Sequence, residues 1–160
     1  MHSRLLAAVV ALTLSLASAV HAAGGGGSVE STPRAAADTD FTRAKAMIEA
    51  KDYRGALPLL QQVVAKDPKN ADAYNLMGYA TRKSGDPSGS LQYYNHALTL
   101  DPKHLGAHEY VGEAYLMLDR LPEAEQHLAR LDSLCVFGCT EYRQLKAAIA
   151  NYKAGRKPTN

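Results

Sequence analysis

NADAYNLMGYATRKSGDPSGSLQYYNHALTLDPK, residues 70–103, is the stretch whose reading decides the fold. Tyr74, Met77 and Thr81 fall on one stripe with Gly78 when wound as an α-helix, because residues three and four apart lie on one face. Ser90, Leu91, Tyr94, Ala97 and Leu98 form a second such stripe. Gly85 and Asp86 break the chain between the two helices, and Asp101-Pro102 ends the second, since a residue before proline avoids helical backbone.

The same pattern returns at a fixed step of 34 residues. Asp67-Pro68 recurs as Asp101-Pro102, Gly78 as Gly112, and Ala56 as Ser90 and Ala124. NADAYNLMGYATRKSGD aligns with HLGAHEYVGEAYLMLDR, residues 104–120. Such a period defines three helix-turn-helix units, about 37–70, 71–104 and 105–138. Glycine inside a helix costs about 1 kcal/mol relative to alanine. Its use twice, one period apart, implies that a neighbouring helix approaches too closely for a Cβ. The repeat-packing set is then Ala56, Tyr74, Gly78, Ser90, Tyr94, Gly112, Tyr115 and Ala124.

These columns resemble the tetratricopeptide repeat. The second unit matches through Tyr74, Gly78, Gly85, Ser90, Tyr94, Ala97 and Pro102, the third through Val111, Gly112, Tyr115, Ala124 and Leu128. Val136 replaces a proline in the third, and the first carries Asp40 where an aromatic is usual. Pro58 sits about one turn into the second helix of the first unit, where early N–H groups lack partners and the helix survives. Tyr142, Leu145, Ile149 and Tyr152 make one further apolar stripe, expected as a capping helix over about 140–154. The expected fold is an all-α tetratricopeptide-like solenoid of three repeats plus that cap, over residues 38–154, with a tail at 155–160.

Upstream, MHSRLLAAVVALTLSLASAVHA has a basic start at Arg4, an apolar run too short to span a bilayer comfortably, and small residues at 20–22. It reads as a signal peptide over 1–22, which predicts a periplasmic, exported chain with no stable membrane anchor. AGGGGSVESTPRAAA, to residue 37, reads as a flexible tether. Without the leader the chain holds 17 basic against 16 acidic residues, and no basic face suited to nucleic acid.

Cys135 and Cys139 lie between the last repeat and the cap. In an oxidising compartment two near cysteines pair, and a local disulfide that fixes the last helix is the first reading. Gly138 suits a helix stop and Thr140 the next N-cap. Copper handling by two thiolates and thiol–disulfide exchange stay open as alternatives. His104 and His108 are four apart, but His108 shares the column of Tyr74, so packing explains it. Paired Glu109 and Glu113 lack the surroundings of an acid–base pair, and no nucleotide or hydrolase motif appears. No enzyme activity, metal or cofactor is expected.

In the family, one face of the first helices lines a concave groove. The resemblance places there Phe41, Lys45 and Ile48 of the first unit, Asn75, Tyr79 and Arg82 of the second, and Glu109, Glu113 and Leu116 of the third. Asn75 would bond a backbone, Tyr79 stack, and Arg82 take a carboxylate. The implied role is non-catalytic binding of a peptide or helix of another exported or membrane-associated protein. Self-association into a homodimer through the open end of the first unit is a further reading.

Overall fold

A computed structural model describes residues 33–159 of the chain, with side chains from residue 38 onward. Seven helices follow in order: α1 Pro33–Glu49, α2 Tyr53–Lys66, α3 Ala71–Lys83, α4 Pro87–Leu100, α5 Leu105–Met117, α6 Leu121–Leu134 and α7 Thr140–Lys153. No strand occurs among the described residues. The expected leader over 1–22 and most of the tether over 23–37 lie outside them. The last five tether residues do not: α1 starts at Pro33, a residue whose fixed φ and missing N–H suit a first helical turn.

Short polar caps set the helix starts. Asp52, Asn70 and Asp86 accept from the backbone N–H of Gly55, Ala73 and Gly89 at 3.0, 2.9 and 2.7 Å. Each such cap is worth about 1 kcal/mol. Histidine does the same for α5: His104 Nδ1 accepts from Ala107 N–H at 3.1 Å. At α7 the cap is the sulfur of Cys139, which accepts from Tyr142 N–H at 3.4 Å, so the role expected of Thr140 falls one residue earlier. Pro58 sits inside an unbroken α2.

Helices pack as antiparallel-type neighbours along the chain, α1 on α2, α3 on α4 and α5 on α6, with each pair docking on the next. Successive odd-numbered helices touch one another, whereas α2, α4 and α6 do not. The stack therefore bends with α1, α3 and α5 on its inner side. Its core is built in sections rather than around one centre, as in repeat proteins generally. Ala44, Ala56, Leu60, Val63, Ala73 and Met77 form the first section; Tyr94, Val111 and Ala114 the middle; Leu116, Ala124, Leu131, Leu145 and Ile149 the last.

Two mid-helix glycines, Gly78 and Gly112, explain the spacing of these sections. A Cβ at Gly78 would stand 2.6 Å from Cε1 of the fully buried Tyr94, and one at Gly112 would stand 2.6 Å from a Cδ of the fully buried Leu145. Gly78 thus admits α4 of its own unit, while Gly112 admits the capping helix. Of the repeat tyrosines only Tyr94 is fully buried. Tyr74 is half-buried and lies tilted against His96 with ring centres 4.1 Å apart; Tyr115 is half-buried beside His127 and Arg120. Asp40, in the column of Tyr74, makes an ion pair with Lys66 at 2.8 Å and so ties α1 to α2 by charge instead of by an aromatic ring.

Gly78→Ala is expected to lower stability by about 1–2 kcal/mol, because overpacking against an immobile ring outweighs alanine's helix propensity. Urea denaturation with an unchanged slope reads this directly; a midpoint at or above that of the parent would refute the close-approach account.

Candidate peptide-binding groove

The inner face is organised around Arg82. Only 2% of this residue is exposed. Its guanidinium pairs with Glu113 at 2.8 Å, its Nε donates to the Tyr94 hydroxyl at 3.3 Å, and it lies 5.4 Å and 5.7 Å from the ring centres of Tyr79 and Tyr110. A planar cation suits this setting, since it can bond in its plane and stack across its faces. Burial raises the Tyr94 phenol above its ordinary range, and burial with Glu109 nearby pushes Tyr110 up to about 12, so both phenols stay neutral beside the cation.

Three tyrosines run along this face from α2 to α5. Tyr53 meets Tyr79 edge-on at 6.0 Å, and Tyr79 lies 4.9 Å from Tyr110. Tyr79 is half-buried, so part of its surface remains open to a ligand. Two depressions flank the file. One, of about 190 Å³, is lined by Phe41, Lys45, Asp72, Asn75 and Leu76 between α1 and α3. Asn75 is 6% exposed there, and its Oδ1 is buried with no hydrogen-bond partner. The other, of about 340 Å³, lies at the α1–α2 and α3–α4 turns and is lined by Lys51, Asp52, Tyr53, Arg54, Lys83 and Ser84. Burial, then the charges of Arg82 and Lys51, lower the Lys83 ammonium.

The nine residues placed in the groove by the sequence divide. Phe41 and Ile48 are half-buried, and Lys45 is exposed with its ammonium 5.9 Å from the Phe41 ring centre. Asn75 and Tyr79 keep contact with the open face. Arg82 does not serve as a free carboxylate binder: its charge is already satisfied inside the protein by Glu113. Leu116 is fully buried in the last core section, which α7 completes. Glu109 is 5% exposed rather than part of an acidic edge. Burial first, then Glu113 and Glu141, raise it to about 8, with Gln144 placed to donate its amide N–H to Oε1 at 2.7 Å. The residues that sequence reasoning missed are Tyr53, Tyr110, Lys51, Arg54 and Lys83. For Lys51 a signal existed: it stands one 34-residue step before Gly85 and two before Asp119, and all three have positive φ, 63°, 101° and 61°.

The histidines do not gather as a metal site. His104 Nε2 lies 3.0 Å from Asp72 Oδ1, outside hydrogen-bond geometry, while its Nδ1 accepts the Ala107 N–H and caps α5. His108 Nδ1 lies 2.9 Å from His127 Nδ1, and its Nε2 lies 3.1 Å from the Pro102 carbonyl oxygen, which fixes a donor on Nε2. Burial, then His108, lower His127 to about 4. Among the described residues no three His, Cys, Asp or Glu side chains are grouped to hold a metal ion, and no helix is long and apolar enough to cross a membrane. Cys135 and Cys139 are joined as a disulfide, Cα atoms 5.5 Å apart.

Helix pairs stacked at a 34-residue period, with an inner face of first helices, define a helical-repeat solenoid. Two tetratricopeptide repeat family models match, over residues 41–104 and 81–149. The chain belongs to the tetratricopeptide repeat family. Over 83 residues it is 31% identical to the protein O-mannosyl-transferase Tmtc3 of Drosophila melanogaster, covering 52% of this chain but 9% of that one. The chain thus spans about a tenth of that relative's length. MamA 41-end from Desulfovibrio magneticus RS-1 is similar in structure, with 27% identity, a TM-score of 0.58, and coverage of 61% of this chain and 55% of that one. The first repeat domain of Spaghetti (RPAP3), solved bound to an HSP90 peptide, is 18% identical with a TM-score of 0.66, over 76% of this chain and 95% of that one.

Glu109 generates a pH prediction. The folded chain keeps its proton up to about pH 8, whereas an unperturbed glutamate releases it near 4.5. Between those values the native state holds the extra proton, so stability falls as pH rises through the window and levels above it. Glu109→Gln is expected to flatten that slope and to raise stability near pH 9 by about 1–3 kcal/mol, with little change near pH 4. Thermal melts across pH check it; parallel profiles for the two proteins would contradict the buried-carboxyl account.

Proposed function

We propose that this chain is a non-catalytic interaction module that holds a segment of a partner protein on the inner face of α1, α3 and α5. The observation that carries the reading is Asn75: a buried amide oxygen without a partner, beside an open depression. Buried acceptors are almost always bonded, and one left over at a surface cavity asks for a donor from a ligand. Phe41 and Leu76 supply apolar contact there, Lys45 and Asp72 one charge of each sign, and Tyr79 an aromatic surface leading toward Tyr110. A backbone N–H from an extended or helical peptide fits this set. The Spaghetti complex supports the reading to the extent that the same fold accommodates a peptide.

The partner proposed is another exported or membrane-associated protein, met in the periplasm. Support comes from residues 1–22, with their basic start, short apolar run and small residues before Ala23, and from the disulfide, which persists in oxidising compartments. The chain recovered from its native cells is expected to begin near Ala23 by intact mass; a chain retaining Met1 and the apolar run would count against export.

Asn75→Leu separates a binding role from a structural one. Leucine is close in size and removes the unpaired acceptor, so stability is expected to hold or to rise by about 1 kcal/mol. Partner binding, found by co-purification and then measured by titration, is expected to weaken about tenfold or more. Unchanged affinity in the folded variant would sink the groove.

A further inference from the structure

The capping helix has anchors other than the disulfide between Cys135 and Cys139. Leu145 is fully buried against the bare Cα of Gly112, and Ile149 is 5% exposed in the same core section. At its other end Tyr152 donates to Asp119 at 2.9 Å and Lys153 pairs with Glu125 at 2.6 Å. The bond closes a loop with a sequence separation of only 4, which by the chain-entropy model is worth about 2 kcal/mol.

Its two sulfurs sit in opposite electrostatic settings. Cys135 is the C-cap of α6, whose backbone N–H bonds Leu131 O at 2.9 Å. It therefore lies at the negative pole of a 14-residue helix. Cys139 is the N-cap of α7, at a positive pole, and its sulfur already accepts the Tyr142 N–H. Arg143 is pinned beside it, donating to Gly138 O at 2.9 Å and Thr140 Oγ1 at 3.2 Å. Glu141 is the anion of the same turn, and Arg130 and Asp132 are the charges on the last turns of α6. A thiolate is favoured at 139 and disfavoured at 135.

The loop between them is open. Both cysteines are half-buried, and Val136 and Phe137 are 83% and 99% exposed, the large apolar side chains that the described residues leave in water. No core section claims them. An apolar tip next to an accessible disulfide fits a cysteine-bearing apolar segment of another protein.

We propose that the Cys135–Cys139 disulfide accepts electrons from such a partner by thiol–disulfide exchange, with attack at Cys135 and Cys139 as the leaving group. A partner thiolate forms a bond to Cys135 Sγ, and the Cys135–Cys139 bond breaks with its electron pair on Cys139. The new thiolate rests at the N-terminus of α7. A second partner thiolate then attacks the partner sulfur of the mixed disulfide and expels Cys135, which takes a proton from water. The partner's two thiols become a disulfide, losing two electrons and two protons, and this chain becomes the dithiol. The exchange is stoichiometric and independent of the groove.

The test uses the full oxidised chain. Reduced glutathione and a synthetic peptide with one cysteine among apolar residues are added separately; the reaction is acid-quenched, alkylated and peptide-mapped. The probe is expected on Cys135 and the alkyl label on Cys139, by about tenfold over the reverse, since a more acidic thiol leaves faster. Cys135→Ser should leave a Cys139 thiol that alkylates at pH 7 about tenfold faster than Cys135 does in Cys139→Ser, as a pKa gap of about one unit or more requires. Val136→Ser with Phe137→Ser should slow the apolar peptide about fivefold and leave glutathione unchanged, because only the first uses the apolar contact. Circular dichroism should show the reduced chain still helical. Probe chiefly on Cys139, equal alkylation of the two single variants, equal slowing of both probes, or loss of α7 on reduction would each overturn the proposal, the last by making the bond a structural staple.

Discussion

Everything in this stack depends on how closely one helix can lie on the next. Where Gly78 faces Tyr94 there is no room for a methyl group, and the same holds where Gly112 faces Leu145. Ala56, Ser90 and Ala124, all fully buried, continue that closeness on the second helices. Small residues at the crossings let the large ones interlock beside them, so Leu60, Tyr94 and Leu131 each fill a section of their own. Close packing of this kind allows no averaging of positions. It fixes the separation of α1, α3 and α5, and so the width of the face they share.

That face is firm because its polar groups are satisfied from within. Arg82 reaches Glu113 on α5 and Tyr94 on α4, joining two repeats through one buried charge. Removing one partner of a buried pair leaves the other unpaired in a poor solvent, which is why such pairs set a register even where their net stabilisation is small. Tyr79 and Tyr110 stand together beside the guanidinium, their ring centres 5.4 and 5.7 Å from it and 4.9 Å from each other. On the proposed reading a ligand would meet a surface already ordered, and binding would then cost little in side-chain freedom. Two buried polar atoms beside the depressions, Asn75 Oδ1 and Ser84 Oγ, are left unpaired against this background.

The period, the helix pairs and the cap were legible in the sequence because each rests on spacing, which a linear chain displays. Gly78 and Gly112 announced a close approach, and Tyr142, Leu145, Ile149 and Tyr152 announced α7. Depth was not legible. Helical periodicity tells which way Arg82, Glu109 and Leu116 point, but not whether the next unit covers them. Leu116 faces α7, so a residue of the expected groove became core. Glu109 is enclosed between α5 and α7, near Gln144 and Glu141, neither of which a pattern within the third unit could supply. Tyr53 joins the inner file although it opens a second helix, since the α1–α2 turn brings it to Tyr79. The column of Lys51, Gly85 and Asp119 was available and carries a backbone demand. An L residue in left-handed backbone costs about 1–2 kcal/mol, so lysine and aspartate there point to what their side chains do. Asp119 bonds Tyr152 and Lys157 and so ties the end of α7 and the tail to the α5–α6 turn.

The same contrast separates the two ends of the third repeat. On its inner side Glu113 is matched by Arg82, and burial keeps Glu109 and Tyr110 protonated in neutral water. At its outer junction the chain leaves α6, exposes Val136 and Phe137, and re-enters a helix within five residues. A loop built only to connect has no physical need for two apolar side chains in water, and a helix already docked through Leu145 and Ile149 has no need of a bond at its first turn. What the bond does possess is polarity: one sulfur at the end of a helix and one at the start of the next. Two helices meeting end to start are enough to make equivalent cysteines unequal, with no further residue required. A repeat fold supplies such junctions wherever one unit hands over to the next, and here the handover is where the cysteines stand.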